Sequence, residues 1–346
     1  MELLKELCES SGIPGREERI RKIVRRELEP IVDEITVDSM GNMLCIKKKP
    51  GAKKLMIAAH MDEIGFVVSH IEEKGWVRIV ALGGHDPRNM VAQHVRVCAD
   101  EGDLTGILYP GIKPPHIQNP EDRNKKLEVK DFIVDLGLSG DEVKEKIQIG
   151  TPVTLKRNFI ELGECVSCKA MDNRVAVYIM IKAMQNAEKY GFETYAVATS
   201  QEEIGLRGAT ISAFGINPDV GICLDTTLAT DTPGVSDREK ITELGEGTAI
   251  KIFDSSAIQH PRLVKFLQDL ADKREIPWQH EILPRGGTDS AAMQKSRAGV
   301  PVATISTPTR YIHSSVETIN KSDLKGSVDL MTAFIEEGHQ VNLELV

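Results

Sequence analysis

Continuously apolar segments that alternate with stretches of helical periodicity constrain the fold of this chain most. Residues 55–59 are apolar at every position, which indicates a strand buried on both faces of a sheet. Such alternation is typical of α/β proteins, so we predict a three-layer α/β/α domain with a mostly parallel sheet. Two helices are predicted within the first thirty residues, further strands or extended segments at 34–38, 43–46, 195–199, 220–224, 279–283 and 302–306, and helices at 173–189, 206–214, 261–273, 290–296 and 322–338.

A region of different texture interrupts this pattern between about residues 64 and 163. Short strand-like segments alternate there with glycine and proline turns, which predicts a small β-rich, barrel-like domain inserted into the α/β domain. The predicted division is therefore 1–63 and 164–346 for the α/β domain and 64–163 for the insert. Residues 110–130 are rich in proline and charge without apolar periodicity, which predicts a mobile loop.

Charge and hydropathy exclude several classes of partner. Lys and Arg number 43 against 52 Asp and Glu, and no long basic run occurs, so we expect neither nucleic acid nor a membrane surface as partner. The longest apolar run, 175–181, is far shorter than the roughly 18 residues that span a bilayer. The N-terminus is acidic and amphipathic, unlike a signal peptide, and the six cysteines are scattered, so we expect a cytoplasmic protein.

Histidine and carboxylate side chains follow the predicted strands, and this is the strongest chemical feature of the sequence. The carboxyl ends of parallel strands meet at one edge of a sheet, where α/β proteins form their sites. Residues two apart on a strand point to the same side, so Asp62 can hold the ring of His60 through its second nitrogen. The candidate residues are His60, Asp62, Asp172, Glu202, Glu203, Asp225 and His313.

Each candidate has an ordinary structural explanation when taken alone, such as a helix cap for Asp172. Together they offer two histidines and three carboxylates as ligands, a set suited to zinc, cobalt or manganese rather than to a thiolate site. Glu202 is then left over beside a ligand. A hydrolytic metal site needs such a spare base, because the attacking water must lose a proton.

Several short motifs carry a resemblance to a known family. They are AAHMDEIG (58–65), PPHIQ (114–118), PEDR (120–123), AMDNR (170–174), QEEIGLRGA (201–209), LDTT (224–227), GGTD (286–289) and RYIHS (310–314). Through them the chain resembles the tetrahedral (TET) metallo-aminopeptidases. These are dinuclear-metal exopeptidases, and members are also named glutamyl aminopeptidase, deblocking aminopeptidase or cellulase M. The resemblance covers nearly the whole chain, and the motifs occur in the order of the family.

The resemblance implies a role for each candidate residue. It makes Asp172 the carboxylate that bridges two divalent metal ions, for which zinc or cobalt is expected. Glu202 would be the general base and Asp62 the group that orients His60. The family usually has a second aspartate where this chain has Asn173, but that position is not a ligand. The remaining ligands would be His60 and Asp225 for one ion, and Glu203 and His313 for the other.

The activity implied is removal of the N-terminal residue from peptides. Two divalent ions outweigh three carboxylates, and the net positive charge acidifies a water molecule whose proton Glu202 takes and returns to the leaving amine. One ion and nearby acidic groups can hold the free α-amine of the substrate. An arginine in the pocket could receive an acidic side chain, but acidic and neutral N-terminal residues both stay open. The expected pocket residues are Arg285, Gly286, Gly287, Thr288 and Asp289.

The insert contains no predicted ligand or base although it exceeds a quarter of the chain, so we expect it to serve association. The resemblance implies a homo-oligomer in which dimers built through the insert assemble into a tetrahedral dodecamer. A dimer and an octamer stay open as alternatives. The loop 114–130 would then reach a neighbour's site, and a closed chamber would admit only unfolded peptides.

Three other functions stay open at this point. A glycoside hydrolase also uses paired carboxylates, but it needs no pair of histidines. Phe, Trp and Tyr make up only 4% of the chain, which leaves few rings to line a sugar-binding cleft. Another two-metal amidase or deacylase would differ only in its substrate. A metal-bound scaffold without activity would leave Glu202 without a purpose.

Overall fold

The computed structural model describes residues 1–121 and 125–345. Asp122 and Arg123 of the PEDR motif, within the predicted loop 110–130, lie outside the described residues. The strands are β1 (Glu34–Val37), β2 (Met43–Lys47), β3 (Lys54–His60), β4 (Gly65–Ile71), β5 (Val77–Leu82), β6 (Gln93–Ala99), β7 (Gly102–Pro110), β8 (Phe132–Asp135), β9 (Pro152–Leu155), β10 (Ile160–Leu162), β11 (Cys165–Cys168), β12 (Glu193–Thr199), β13 (Val220–Leu228), β14 (Thr248–Asp254), β15 (Trp278–Leu283), β16 (Val302–Arg310) and β17 (Glu317–Asn320).

One large sheet organises the part of the molecule that will carry the site. In the described chain, eleven strands join it in the order β1-β2-β12-β3-β13-β16-β17-β11-β10, with β14 and β15 attached beside β16. The central strands β12, β3, β13 and β16 run parallel, and antiparallel strands flank them. Parallel pairing sets His60 at the end of β3 beside Thr199 at the end of β12. The carboxyl ends of the central strands therefore meet at one edge.

Helices cover both faces of this sheet, because its central strands are apolar on both sides. Along β3, Leu55, Ile57 and Ala59 pack into one core, and Met56 and Ala58 pack into another core on the opposite face. No helix within the described residues is long and apolar enough to cross a membrane. The α-helices are Glu2–Glu9, Glu18–Leu28, Met171–Asn186, Pro261–Lys273 and Lys321–Glu337 on the first face, Arg207–Ile216 and Asp289–Gln294 on the second, and Pro87–Met90 and Gly140–Lys146 in the insert.

The insert is a closed six-stranded barrel in the order β4-β5-β8-β7-β6-β9. Its interior is an apolar core separate from those of the large sheet, with Phe66, Val97 and Phe132 among its fully buried members. The barrel strands end at Leu155, and β10 already pairs with β11 in the large sheet. The domain boundaries at residues 63–64 and 163–164 stay a prediction.

The predicted fold class is confirmed: a three-layer α/β/α arrangement with a parallel centre, joined to a small β-barrel. The bounds of single elements differ by a few residues; for example, the helix predicted at 173–189 spans Met171–Asn186. Strands β10, β11, β14 and β17 of the large sheet were not predicted. Strand β14 is interrupted by the charged Lys251 at its centre, and β17 contains a single strongly apolar residue, Ile319, so neither shows a clear apolar pattern.

Candidate metal centre

All five candidate ligands reach one place at the edge of the large sheet. His60 ends β3, Asp225 lies within β13, and Glu203 follows β12. Asp172 lies in the first turn of a helix, and His313 follows β16. These residues are far apart in the sequence, and the common edge of parallel strands brings them together.

Asp172 stands between two groups of potential ligands. Its Oδ1 lies 3.3 Å from His60 Nε2, and Asp225 Oδ1 lies 3.9 Å from the same nitrogen. Its Oδ2 lies 3.5 Å from His313 Nε2, which is also 3.5 Å from Glu203 Oε2. We call His60, Asp172 and Asp225 the first ligand group, and Asp172, Glu203 and His313 the second. Within each group, potential ligand atoms lie within 4.8 Å of one another.

The chemistry of both groups fits divalent metal ions. Imidazole nitrogen and carboxylate oxygen are donors typical of zinc and related metals. Asp172 Oδ1 and Glu203 Oε1 are buried and accept no hydrogen bond from any described residue. Such unpartnered buried oxygens destabilise a fold, and a cation held by each ligand group would satisfy them.

Protonation in this place is strongly shifted because several acids are buried together. Burial raises the pKa of Glu202, Glu203 and Asp225, and a neighbouring carboxylate raises each of them further. Burial alone would lower the pKa of His313, but its contacts with Asp172 and Glu203 outweigh that effect and raise the pKa to about 11. Burial thus disfavours the ionised form of these carboxyl groups, and bound cations would stabilise that form.

Asp62 holds the turn that contains Glu202 and Glu203. Its Oδ1 accepts the N–H of Glu202 and its Oδ2 accepts that of Glu203, both at 3.0 Å. His60 Nδ1 lies 3.0 Å from the main-chain carbonyl of Asp62 and 3.6 Å from its Oδ1. The contact predicted between Asp62 and His60 is therefore made chiefly by the main chain, while the carboxylate fixes two neighbouring acids.

Glu202 lies beside the first ligand group without belonging to either group. Its Oε2 is 3.9 Å from His60 Nε2, and its side chain, 11% exposed, faces an open cavity. Gln201, just before it, has a φ of 56°, and this left-handed residue turns the chain sharply after β12. After this turn Glu203 belongs to the second ligand group and Glu202 to neither, although both line the cavity.

A cavity of about 360 Å³ opens onto both ligand groups. Asp289, predicted as a pocket residue, is buried behind its wall instead: it is 1% exposed and accepts a hydrogen bond from Thr199 Oγ1 at 2.6 Å. A helix begins at Asp289, and its side chain is directed inward toward the end of β12. The other predicted pocket residues, Arg285, Gly286, Gly287 and Thr288, do line the cavity.

A buried charged cluster that the sequence analysis missed supports this wall. Lys251 Nζ lies 2.7 Å from Glu281 Oε1 and 3.5 Å from Asp254 Oδ2, and all three side chains are fully buried. The wall residue Thr227 donates a hydrogen bond to Glu281 at 2.7 Å. The charged residues at the centre of β14 and β15 were the available signal, because a buried strand seldom contains an unpaired charge.

The barrel also approaches the second ligand group. Gly83 and Gly84 follow β5, and a methyl group on Gly84 would lie 3.2 Å from His313 Nδ1. A methyl group on Gly83 would lie 3.4 Å from Glu203 Oε2. The absence of side chains at both positions lets the barrel approach these ligands closely. None of the described residues of the barrel belongs to either ligand group.

One family model and three known proteins show what this chain is similar to. The model, described as M42 glutamyl aminopeptidase, matches residues 41–330. The lysyl aminopeptidase of Pyrococcus furiosus is 38% identical over 343 residues, which are 97% of this chain and 96% of that protein. The structure of aminopeptidase APDkam598 from Desulfurococcus kamchatkensis is 40% identical with a TM-score of 0.92, covering 97% of this chain and 94% of that one.

A third relative is the TET1 peptidase of Pyrococcus horikoshii, described as able to assemble into a tetrahedron or a large octahedral shell. It is 32% identical with a TM-score of 0.87, covering 97% of this chain and 99% of that one. The similarity thus extends over nearly the full length of both sequence and fold. The chain belongs to the M42 peptidase family.

Proposed function

We propose that this chain is an aminopeptidase that removes the N-terminal residue of peptides with a centre of two divalent metal ions, for which zinc or cobalt is expected. The observation that carries the proposal is the position of Asp172, whose two oxygens face two separate ligand groups. His60 and Asp225 complete the site of one ion, and Glu203 and His313 complete that of the other. Membership of the M42 family and the aminopeptidases among the relatives support the reaction class.

Glu202 acts as the general base in this proposal. Ions in the two sites supply the Lewis-acid charge that makes a water molecule easier to deprotonate and stabilises an oxyanion. Glu202 takes the proton of the attacking water and passes it to the amine of the leaving peptide. Its place at the cavity, outside both ligand groups, leaves it available for this task. Asp62 holds Glu202 in position through the main chain.

The carboxylates that line the cavity support the choice of an exopeptidase. Four carboxylates line the cavity, those of Asp172, Glu202, Glu203 and Asp225, against the two histidines His60 and His313. A substrate with a free α-amine brings a positive charge to this place, whereas an internal peptide bond brings none. The free amine therefore favours binding with the first residue of the peptide at the metal centre.

A glycoside hydrolase fits the geometry less well. Such enzymes use two carboxylates on opposite sides of the scissile bond, roughly 5 to 9.5 Å apart, as acid and as base or nucleophile. Here the other carboxylates that line the cavity, those of Asp172, Glu203 and Asp225, all belong to the ligand groups, which leaves Glu202 without a free acidic partner. Another two-metal amidase or deacylase would use the same centre, so only the substrates that the protein cleaves distinguish it from an aminopeptidase.

A panel of chromogenic substrates tests the proposed reaction. Metal-free protein is reloaded with Zn²⁺, Co²⁺ or Mn²⁺ and assayed on aminoacyl anilides, on their N-acetylated forms and on soluble cellulose. We expect the chromophore to be released from the free aminoacyl anilides alone, and only by metal-loaded protein. Release from the acetylated compounds, or of acetate, would favour an amidase or deacylase. Release of reducing sugar would favour the glycoside hydrolase.

Arg285 suggests a preference for acidic N-terminal residues. It is exposed in the cavity wall and forms no ion pair within the described chain. Lys251, behind the same wall, is neutralised by Glu281 and Asp254. A free guanidinium can bind a carboxylate through two hydrogen bonds. We expect Arg285→Ala to lower kcat/KM for glutamyl substrates by about tenfold or more and to leave leucyl substrates unchanged.

The matched variant Arg285→Lys keeps the charge but loses the two-pronged geometry, so we expect it to retain part of the glutamyl activity. Steady-state kinetics on glutamyl and leucyl anilides measure both effects. A wild type that strongly prefers leucyl substrates, with no change in Arg285→Ala, would rule out the acidic pocket.

We also propose that the barrel serves association and that the protein forms a tetrahedral particle. Val80, Ile107 and Tyr109 are 53%, 41% and 49% exposed on strands β5 and β7, which flank β8. Large apolar side chains exposed on the outside of a domain are typical of association surfaces. The Pyrococcus horikoshii relative, described as able to assemble into a tetrahedron or a large octahedral shell, supports a large closed particle.

Light scattering should therefore report a particle of twelve subunits of 38.2 kDa. We expect Tyr109→Glu to lower this mass, because it places a charge in the apolar surface. Inside a closed particle the sites should admit unfolded peptides and exclude folded proteins. A stable wild-type monomer with full peptidase activity, or rapid trimming of a protein with an ordered N-terminus, would contradict the proposal.

A further inference from the structure

Glu317 is a buried carboxylate that contacts the main chain of two proposed metal ligands. Its Oε2 accepts the N–H of Asp172 at 2.9 Å, and its Oε1 accepts the N–H of His313 at 2.7 Å. The residue is 1% exposed. One side chain thus ties together two ligands that come from different parts of the sequence. It belongs to neither ligand group itself.

The fold places Glu317 where the two ligand-bearing turns meet. It begins β17, and strand pairing sets it opposite Cys168, the last residue of β11. The chain runs from Cys168 past Ala170 to Asp172, while His313 lies in the connection between β16 and β17. Ala170 and His313 have φ values of 56° and 62°. Residues with a side chain adopt this left-handed region mainly where their surroundings hold them there.

A second buried carboxylate, Asp62, holds the turn that contains Glu202 and Glu203 in the same way. Its two oxygens accept the N–H groups of Glu202 and Glu203. Hydrogen bonds from main-chain N–H groups to a carboxylate are stronger than those between neutral partners, and each fixes the start of one side chain. Two buried acids, Asp62 and Glu317, therefore fix four residues around the proposed centre.

We propose that Glu317 is a positioning residue that sets the distance between Asp172 and His313 and thereby the metal affinity of the second ligand group. The inference rests on the proposed two-metal function. Glu317 holds two members of the second ligand group but only one member of the first. Its loss should therefore weaken one metal site more than the other. Residues outside the ligand shell that orient ligands typically contribute about tenfold to a hundredfold in metal affinity.

Titration of metal-free protein with Co²⁺ tests this inference. Calorimetry gives the two affinities, and the visible absorption of Co²⁺ reports the geometry of each site. In Glu317→Gln one oxygen acceptor becomes an NH₂ group, which cannot accept a main-chain hydrogen bond. We expect about tenfold to a hundredfold weaker binding of one ion, a clearly smaller loss for the other, and an altered absorption band for the weakened site. In Co²⁺-loaded protein, kcat should fall while KM for a peptide changes little.

Asp323→Asn is the matched control. Asp323 is also fully buried and accepts two main-chain N–H groups, from Gly245 at 2.8 Å and from Gly247 at 2.9 Å. Neither glycine is a proposed ligand. Both variants should lower the melting temperature, but Asp323→Asn should leave both Co²⁺ affinities at the wild-type values. Equal weakening of metal binding in the two variants would mean that Glu317 acts only through general stability.

If Glu317→Gln does not fold, the same Co²⁺ titration of Glu317→Asp tests the inference. It keeps the carboxyl group but is one methylene group too short to reach both N–H groups, so the preferential loss of one ion should recur. Two ions bound by either Glu317 variant with wild-type affinities would overturn the inference and leave the proposed function intact. A wild type that binds fewer than two ions would overturn the proposed function, and this inference with it.

Discussion

Replacing Glu202 with glutamine should lower kcat on a peptide amide by at least roughly a hundredfold while both metal ions stay bound. Glutamine preserves the shape of the side chain but cannot take a proton from water at neutral pH. Because Glu202 belongs to neither ligand group, the substitution removes no proposed ligand. Elemental analysis of the purified variant gives its metal content, and turnover of a leucyl or glutamyl peptide gives kcat.

Glu203→Gln is the matched comparison for this variant. The two glutamates are adjacent, and Asp62 holds the N–H of each at the same distance of 3.0 Å. Glu203 belongs to the second ligand group, so its variant should lose affinity for one ion, whereas Glu202→Gln should not. Wild-type turnover in Glu202→Gln on a peptide amide would show that another group is the base.

Asp172→Asn should weaken the binding of both ions. Asparagine has one oxygen and one NH₂ group, so it cannot offer an oxygen to each ligand group as Asp172 does. Loss of a shared ligand should exceed the tenfold to hundredfold effect that is typical of partners outside the ligand shell, so we expect a loss of more than roughly a hundredfold for each ion. Equilibrium dialysis with Zn²⁺ or Co²⁺ measures this directly.

Asp289→Asn is the control for Asp172→Asn, because it also changes a buried acid close to the proposed metal centre. Its Oδ2 accepts a hydrogen bond from Thr199, and the residue belongs to neither ligand group. It should therefore bind two ions with wild-type affinity. Retention of both ions by Asp172→Asn, or their loss from Asp289→Asn, would contradict the assignment of Asp172 as the bridging ligand.

The parts of the molecule that could be predicted follow directly from strand burial. The apolar run at residues 55–59 identifies a central strand, and a central parallel strand fixes where the chain leaves the sheet. His60, at the end of β3, and Asp225, near the end of β13, could be placed at one edge for this reason. The imidazole and carboxylate groups expected at this edge then indicated a site for divalent metal ions.

The parts that could not be predicted depend on main-chain contacts and on side-chain direction. The carboxylates of Asp62 and Glu317 accept N–H groups, which every residue except proline has, so their partners leave no trace in the sequence. Asp289 was expected in the pocket because it follows two glycines, yet the helix that begins there directs its side chain inward. Lys251 interrupts the apolar pattern of β14. It can be buried there because Glu281, thirty residues further along the chain, balances its charge.

A matched pair of peptides, one with a free N-terminus and one N-acetylated, tests the central claim most directly. Each is incubated with metal-loaded protein and with protein stripped by a chelator, and the products are followed by mass spectrometry. We predict stepwise loss of single residues from the N-terminus of the free peptide, no change in the acetylated peptide, and no change in either after metal removal. Cleavage within either peptide, trimming from the carboxyl end, or full activity in metal-free protein would contradict the account.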